Sequence, residues 1–413
     1  MRIKLAVSLT ALTLALAPPA LAQDDPIRIG TIATLEGAFT TLGEEGVRGI
    51  EMAMEAAGYS AGGRDIEIVS ESSNASPDSA VQAARKLVEN DDVDIVIGPL
   101  SGSEGIALRD YAKTKPEVTF VNGVSAAQDT TLRDPAKNFF RFTTDGAQWM
   151  AGLGEYVIEE KGWDRIVTIA EDYSFPYSQV MGFLLDYCEL GGEVVERFWV
   201  PIGNKDYTSI VYSIPQDIDA VYVALGGADA VNFLTQYQQA GQLKPMIGGS
   251  ITVDQSVLSA EGRRKDYLVG TPSAGPIADS WENPDWQAFV DRYQEQFPDG
   301  LASPSLFAHG YYVSTRAVIK GLNQVDGDLS DGQAAFREAL ATMTLDTPTG
   351  NVELDQNRQA IADIFLTEVA VNEDGDLYNE VVKVVEDVNQ TLGMPRDEFL
   401  DLGKASRNNP ACE

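Results

Sequence analysis

The run Ile95-Val96-Ile97-Gly98-Pro99-Leu100-Ser101-Gly102-Ser103-Glu104-Gly105 gathers the residue types that hold an anion. A short apolar stretch, fit for a buried strand, meets a Gly/Ser turn. A helical pattern then follows through Ile106-Ala107-Leu108-Arg109-Asp110-Tyr111. The first turn of a helix has N–H groups without internal partners and carries the positive end of the dipole. Ser101 and Ser103 add hydroxyls, and Gly102 and Gly105 let a carboxylate or phosphate approach the bare backbone. The motif holds no acid, base or metal ligand, so it predicts binding rather than turnover.

Other constellations that do chemistry are weak or missing. His309 is the single histidine, which excludes multi-His metal sites and leaves a Ser-His-Asp triad without support. It lies in Phe307-Ala308-His309-Gly310-Tyr311-Tyr312, inside a predicted helix, and reads as structural. Gly123-Val124-Ser125-Ala126-Ala127 lacks the last glycine of a nucleophile elbow. Neither a phosphate loop nor a dinucleotide fingerprint occurs. The turns Asp326-Gly327-Asp328 and Asn372-Glu373-Asp374-Gly375-Asp376 lack the spacing of a calcium loop and read as surface turns. No catalytic residue, metal or cofactor is predicted. Three other stretches end strands at the edge where parallel sheets place ligands: Asp172-Tyr173-Ser174-Phe175-Pro176-Tyr177, Val223-Ala224-Leu225-Gly226-Gly227 and Phe120-Val121-Asn122-Gly123-Val124-Ser125-Ala126. Each fits a binding loop or a plain turn.

Those loops need elements to carry them, and strand and helix patterns alternate along the chain. Strands are predicted at 27–32, 66–70, 95–98 and 118–121, with helices at 43–57 and from Pro77. The rhythm restarts with a helix at 148–160, then strands at 165–170, 193–200, 220–224 and 246–248 and helices at 177–190 and 228–240. Helices dominate afterwards (285–297, 305–320, 332–342), before late strands at 351–354 and 362–371. This βαβα order predicts an α/β fold of two doubly wound parallel-sheet lobes. The late helices lack strands of their own, so the chain must cross between the lobes more than once. The visible junctions are 143–146, 270–276 and 346–350.

Composition narrows the class. Residues 1–22 read as a signal peptide: Arg2 and Lys4, an apolar core, and a cleavage site at Ala20-Leu21-Ala22. The expected mature chain is exported to the periplasm and soluble, without insertion in the membrane. About 390 residues remain, more than one core comfortably holds. A formal net charge of −33 argues against nucleic acid and anionic membranes, so an anionic ligand needs local donors. Cys188 and Cys412 are the only cysteines, and in an exported chain they are expected to pair and pin a loose tail.

In the order and spacing of these motifs the chain resembles the type I periplasmic solute-binding proteins, in the leucine/isoleucine/valine-binding branch of ABC uptake systems. The likeness spans 26–390. It rests on Ile29-Gly30 through Gly37 and Gly43, on Ile97-Gly98-Pro99 with its turn, on Phe140-Arg141-Phe142-Thr143-Thr144-Asp145, and on the loops at 172–177 and 223–227. The resemblance implies a flytrap of two lobes on a three-segment hinge: 26–144 with 273–346, and 145–272 with 347–390, followed by a tail at 391–413. It implies that Ser101, Gly102, Ser103, Val124, Ser125 and Ala126 hold a ligand carboxylate. Tyr173 and Phe175 would cover the ligand, Gly226 and Gly227 would form a floor, and Phe39 and Leu42 a wall.

Amino-acid binders of this family place an acid after the strand at 246–249 to pair with the ligand ammonium; here that position is Ser250, with Asp145 or Asp254 as possible substitutes. A buried ammonium without a counter-charge is costly. The segments Gly203-Asn204-Lys205-Asp206-Tyr207 and Asp145-Gly146-Ala147-Gln148-Trp149 also resemble the branch for aromatic acids such as benzoate or phenylpropanoid derivatives. The expectation is therefore a monomeric carrier of a small, preferably aromatic, carboxylate that docks on a membrane ABC permease. The alternatives are a branched-chain or other aliphatic amino acid as ligand, or a sensory module feeding a receptor.

Overall fold

The computed structural model describes residues 25–241, 244–260 and 266–412; the expected leader at 1–22 lies outside them. In the first lobe the strands lie in the order Ser60–Ala61, Arg64–Ser73, Ile27–Thr34, Ile95–Ile97, Thr119–Val121, Phe139–Phe140. All pairs are parallel except the edge hairpin at 60–73. Successive side chains take opposite faces, so Ile95 and Ile97 enter one core while Val96 and Phe120 enter the other. Helices Pro77–Arg85 and Gly102–Ala112 cover the second of these faces, and Thr40–Ala56 covers the first.

The late helices complete this lobe, as their lack of strands required. Leu306–Gln324 packs so closely on Thr40–Ala56 that a Cβ on Gly49 would stand 2.1 Å from the Ala308 carbonyl oxygen. Only glycine permits that approach.

The second sheet runs Leu345–Thr347, Gly350–Leu354, Ala360–Val371, Pro272–Gly275, Met246–Gly248, Ala220–Ala224, Arg165–Glu171, Glu193–Val200. Its four strands between 165 and 248 are parallel, and Ala360–Val371 joins Pro272–Gly275 antiparallel. Helices Ser174–Glu189 and Gly227–Ala240 cover opposite faces, through Phe183 and Tyr187 on one and Phe233 and Tyr237 on the other.

Pairing shifts one expected boundary. Pro272–Gly275 belongs to the second sheet, so the return to the first lobe falls after Gly275, not at 273. The hairpin at 345–354 packs on the first-lobe helix, with Thr349 Oγ1 3.1 Å from His309 Nε2. The hairpin itself belongs to the second sheet, because Glu353 and Leu354 pair with Ile361 and Ala360.

Three other expectations change. The helix predicted at 148–160 is broken into short turns by Gly152, which sits at φ +75°. A twelve-residue strand, Leu377–Val388, pairs with Ala360–Val371 where no element was predicted. The tail is not loose. It contains a helix, Arg396–Asp401, whose Phe399 is fully buried against Leu132 and Met181. Cys412 is bonded to Cys188, and Arg407 pairs with Asp172.

Candidate ligand cleft between the lobes

Helix Gly102–Ala112 begins in a capping box: Ser101 Oγ accepts from the Glu104 N–H, and Glu104 Oε2 accepts from the Ser101 N–H. Ser101 Oγ also donates to the Ala75 carbonyl. Ser101 is thus fully engaged inside the protein and sets up the helix start without facing a ligand. Glu104 is the exception to an acid-free motif. Among the described residues the N–H groups of Gly102 and Ser103 have no acceptor, which is the usual state of a first helical turn.

A second helix start meets them. Helix Ser174–Glu189 has no side-chain cap, and a Cβ on Gly102 would lie 3.0 Å from the Phe175 nitrogen and 2.8 Å from its Cβ. Ser103 Oγ is 2.9 Å from Ser174 Oγ. The positive ends of two helices, one from each lobe, therefore abut across the cleft, an arrangement that favours an anion.

Beside this junction lies a narrow apolar chamber. Of the predicted site residues, Phe39, Leu42, Val124, Ala126, Tyr173 and Phe175 line it. Its remaining walls are Leu100, Trp149, Ile251 and Phe307, which sequence reasoning did not assign to the site. Trp149 packs edge-on against Phe175, and Phe39 against Tyr173, with ring centroids 5.3 and 6.2 Å apart. Phe39 belongs to the first lobe and Tyr173 to the second, so their contact closes the cleft.

Several predicted residues stand elsewhere. The Val124 and Ser125 N–H groups both donate to the Pro99 carbonyl, and Ser125 Oγ donates to Asn122. Their donors brace the turn and are not free for a carboxylate; Val124 contributes only its side chain. Gly226 and Gly227 lie outside the chamber walls. A Cβ on Gly227 would stand 2.6 Å from the Ala38 carbonyl oxygen, so that glycine permits lobe contact. Ser250 faces a different, polar cavity, and its Oγ accepts from Gln179 Nε2 at 2.6 Å.

Neither suggested counter-charge is free. Asp145 is fully buried in the hinge, where its carboxylate accepts from the Ala147 and Gln148 N–H groups, Gln390 Nε2 and Arg141. Arg141 in turn donates to Gln359, and its backbone pairs with 358–360, so the first and last crossings are stitched together by buried polar groups. Asp254 accepts from the Leu306 N–H of the first-lobe helix and from Ser256, and burial pushes it up to about 6.

Two other buried acids act on Tyr173 in the chamber wall. Glu171 ends the strand Arg165–Glu171 and accepts from the Gly226 N–H, leaving Oε2 without a partner; Glu104 Oε1 is likewise unpartnered. Both are completely buried, and burial raises both above the usual carboxylate range, Glu171 markedly. Their charges, with that of Asp229, reinforce the effect of burial in raising the Tyr173 phenol.

Against known proteins, a sequence model described as periplasmic binding protein matches residues 26–376. The chain belongs to the periplasmic binding protein family. Among curated relatives, the Leu/Ile/Val-binding protein homolog 6 of Brucella melitensis is 25% identical over 391 residues, covering 92% of this chain and 97% of its own. Among solved structures, an ABC transporter substrate-binding protein from Sphaerobacter thermophilus superposes with TM-score 0.79 at 29% identity, covering 89% of this chain and 99% of that one. A solute-binding protein from R. palustris in complex with benzoate gives TM-score 0.80 at 22% identity, covering 88% and 97%. This periplasmic binding protein is accordingly a substrate-binding component of the ABC type with the two-lobed α/β fold.

Proposed function

We propose that this binding protein captures a small aromatic carboxylate between its lobes and delivers it to a membrane permease. The observation that carries the proposal is the pairing of an uncharged, largely aromatic chamber with two abutting helix N-termini. The Gly102 and Ser103 N–H groups hold the carboxylate, and the ring stacks among Phe39, Trp149, Tyr173 and Phe175. Closure completes the site, because each lobe supplies one helix start and part of the wall. The benzoate bound by the R. palustris neighbour is compatible with this choice.

A second reading, a branched-chain or other aliphatic amino acid, is favoured by Glu171 and Glu104, whose unpartnered oxygens lie near Tyr173. Either could receive an ammonium. The names of the curated relatives point the same way.

Thermal-shift and calorimetric titration of the mature chain with benzoate, 3-phenylpropanoate, leucine and phenylalanine separates the two. Stabilisation by the aromatic acids without an amine is the expected result. Binding of leucine with no response to either aromatic acid would overturn the proposal, and loss of that leucine binding in Glu171→Gln would locate the counter-charge.

A further inference from the structure

The last segment of the chain bonds to both lobes. It leaves the hinge at Gln390, whose Nε2 donates to the Gln128 carbonyl and to Asp145. From there to Cys412 it lies along the second-lobe helix Ser174–Glu189. Phe399 packs on Met181 in the middle of that helix, Arg407 pairs with Asp172 just before its start, and Cys412 is bonded to Cys188 near its end. Trp199 Nε1 adds a bond to the Arg407 carbonyl at 3.2 Å.

The same segment grips the first lobe. Arg133 Nη2 donates to the Gly403 carbonyl at 2.6 Å and to the Leu400 carbonyl at 3.3 Å. Arg396 Nη2 donates to the Leu132 carbonyl at 2.6 Å, and Phe399 packs on Leu132 as well as on Met181. The loop that carries Leu132 and Arg133 is fixed in turn to the helix Gly102–Ala112, because Arg109 Nη1 donates to the Asp129, Arg133 and Asp134 carbonyls. The tail therefore ties together the two helices whose N-termini abut across the cleft. Its hold on the second lobe includes a covalent bond, whereas its hold on the first is non-covalent. Parting the lobes must break the weaker set, at Leu132 and Arg133.

We propose that the C-terminal segment is a strap across the lobes: anchored to the second by the bond between Cys188 and Cys412, it grips the first through Arg133 and Leu132 and biases the ligand-free protein toward closure. Such a bias raises affinity, because the ligand then supplies less of the work of closing, and it slows release. Without the disulfide the far end of the tail no longer follows the second lobe, and the grip on the first lobe ceases to pull the two together. This device is independent of which small molecule the cleft takes.

Amide exchange and small-angle X-ray scattering of the ligand-free chain test this. The Leu306 N–H donates to Asp254 Oδ2 across the cleft at 2.9 Å, and neither residue belongs to the tail, so exchange at Leu306 reports lobe contact. In Arg133→Ala, and independently in Cys188→Ser combined with Cys412→Ser, that exchange should quicken about tenfold, the worth of one charge-assisted hydrogen bond. The radius of gyration should rise with it. Lowered melting temperatures with wild-type exchange at Leu306 and an unchanged radius would show a tail that only stabilises the second lobe, and would overturn the strap. Exchange at Leu306 as fast in the wild-type chain as in the variants also overturns it, since the ligand-free lobes are then already apart. Each variant reads out alone, so if one fails to fold the other decides.

Discussion

Adding one methyl group at Gly227 should separate lobe closure from folding. Gly227 begins the helix Gly227–Ala240 at φ +49°, and its Cβ would lie 2.6 Å from the Ala38 carbonyl oxygen of the opposite lobe. Ordinary contact begins at 3.4 Å, so Gly227→Ala forces the lobes apart by about 0.8 Å at that point. A backbone oxygen cannot rotate away. Overpacking of this kind costs about 1–3 kcal/mol. Because only the closed form contains the contact, the cost appears as binding weakened about 5- to 150-fold.

Alanine in a left-handed conformation also costs about 1–2 kcal/mol, but equally in open and closed forms. That part lowers Tm by a few degrees without touching affinity. Gly162→Ala supplies the control, since Gly162 has φ +67° with open space around its Cβ position. Calorimetric titration with the acid that gives the largest thermal shift, alongside melting curves, reads both quantities. The reasoning is refuted if Gly227→Ala melts like the control and binds within twofold of wild type. The closed arrangement would then not be the bound one.

Trp149 is the one tryptophan in the wall of the apolar chamber, so an aromatic ligand should quench the intrinsic fluorescence, and Trp149→Phe should remove most of that change in a titration. Burial pushes His309 down to about 3, so the folded chain keeps it neutral where the unfolded chain takes up a proton. Its contribution is complete above pH about 6.5 and is lost at up to about 1.4 kcal/mol per pH unit as the pH falls toward 3. His309→Gln should lack that slope in urea melts between pH 6.5 and 4. Asp229 and Asp254, which burial raises to about 6, act in the opposite sense but are common to both proteins and cancel in the difference. The bond between Cys188 and Cys412 spans 224 residues of sequence, and its loss in Cys412→Ser should cost about 2–4 kcal/mol. Limited trypsin digestion should then cut faster after Arg407; unchanged melting and cleavage would show that the tail is held by Phe399 and its neighbours alone.

Local signals explain how much of this architecture is legible beforehand. The central strands of both sheets and their covering helices announce themselves by periodicity, whereas short strands such as Phe139–Phe140 and Pro272–Gly275 are too brief to show a period. Leu377–Val388 is rich in β-branched residues but carries exposed charges, since it lies at the rim of the second sheet, and so gives a weak pattern. Gly152 hides inside an otherwise helical stretch because a glycine does not declare which sign of φ it will take.

The sequence by itself determined the class of protein: an alternating α/β chain, an anion-ready helix start and a pair of cysteines suited to cross-linking. The family resemblance pointed to Phe39 and Leu42 as a wall and to Tyr173 and Phe175 as a cover, and these four side chains line one chamber. Only tertiary structure decided which donors remain available. Ser101, Val124 and Ser125 spend theirs on the backbone of their own lobe, while Gly102 and Ser103 keep theirs because a helix cannot satisfy its first turn. It alone placed Leu100, Trp149, Ile251 and Phe307 around one chamber and turned Ser250 toward another. Those contacts join segments far apart in the chain. Their geometry depends on how two lobes meet, which no local pattern encodes.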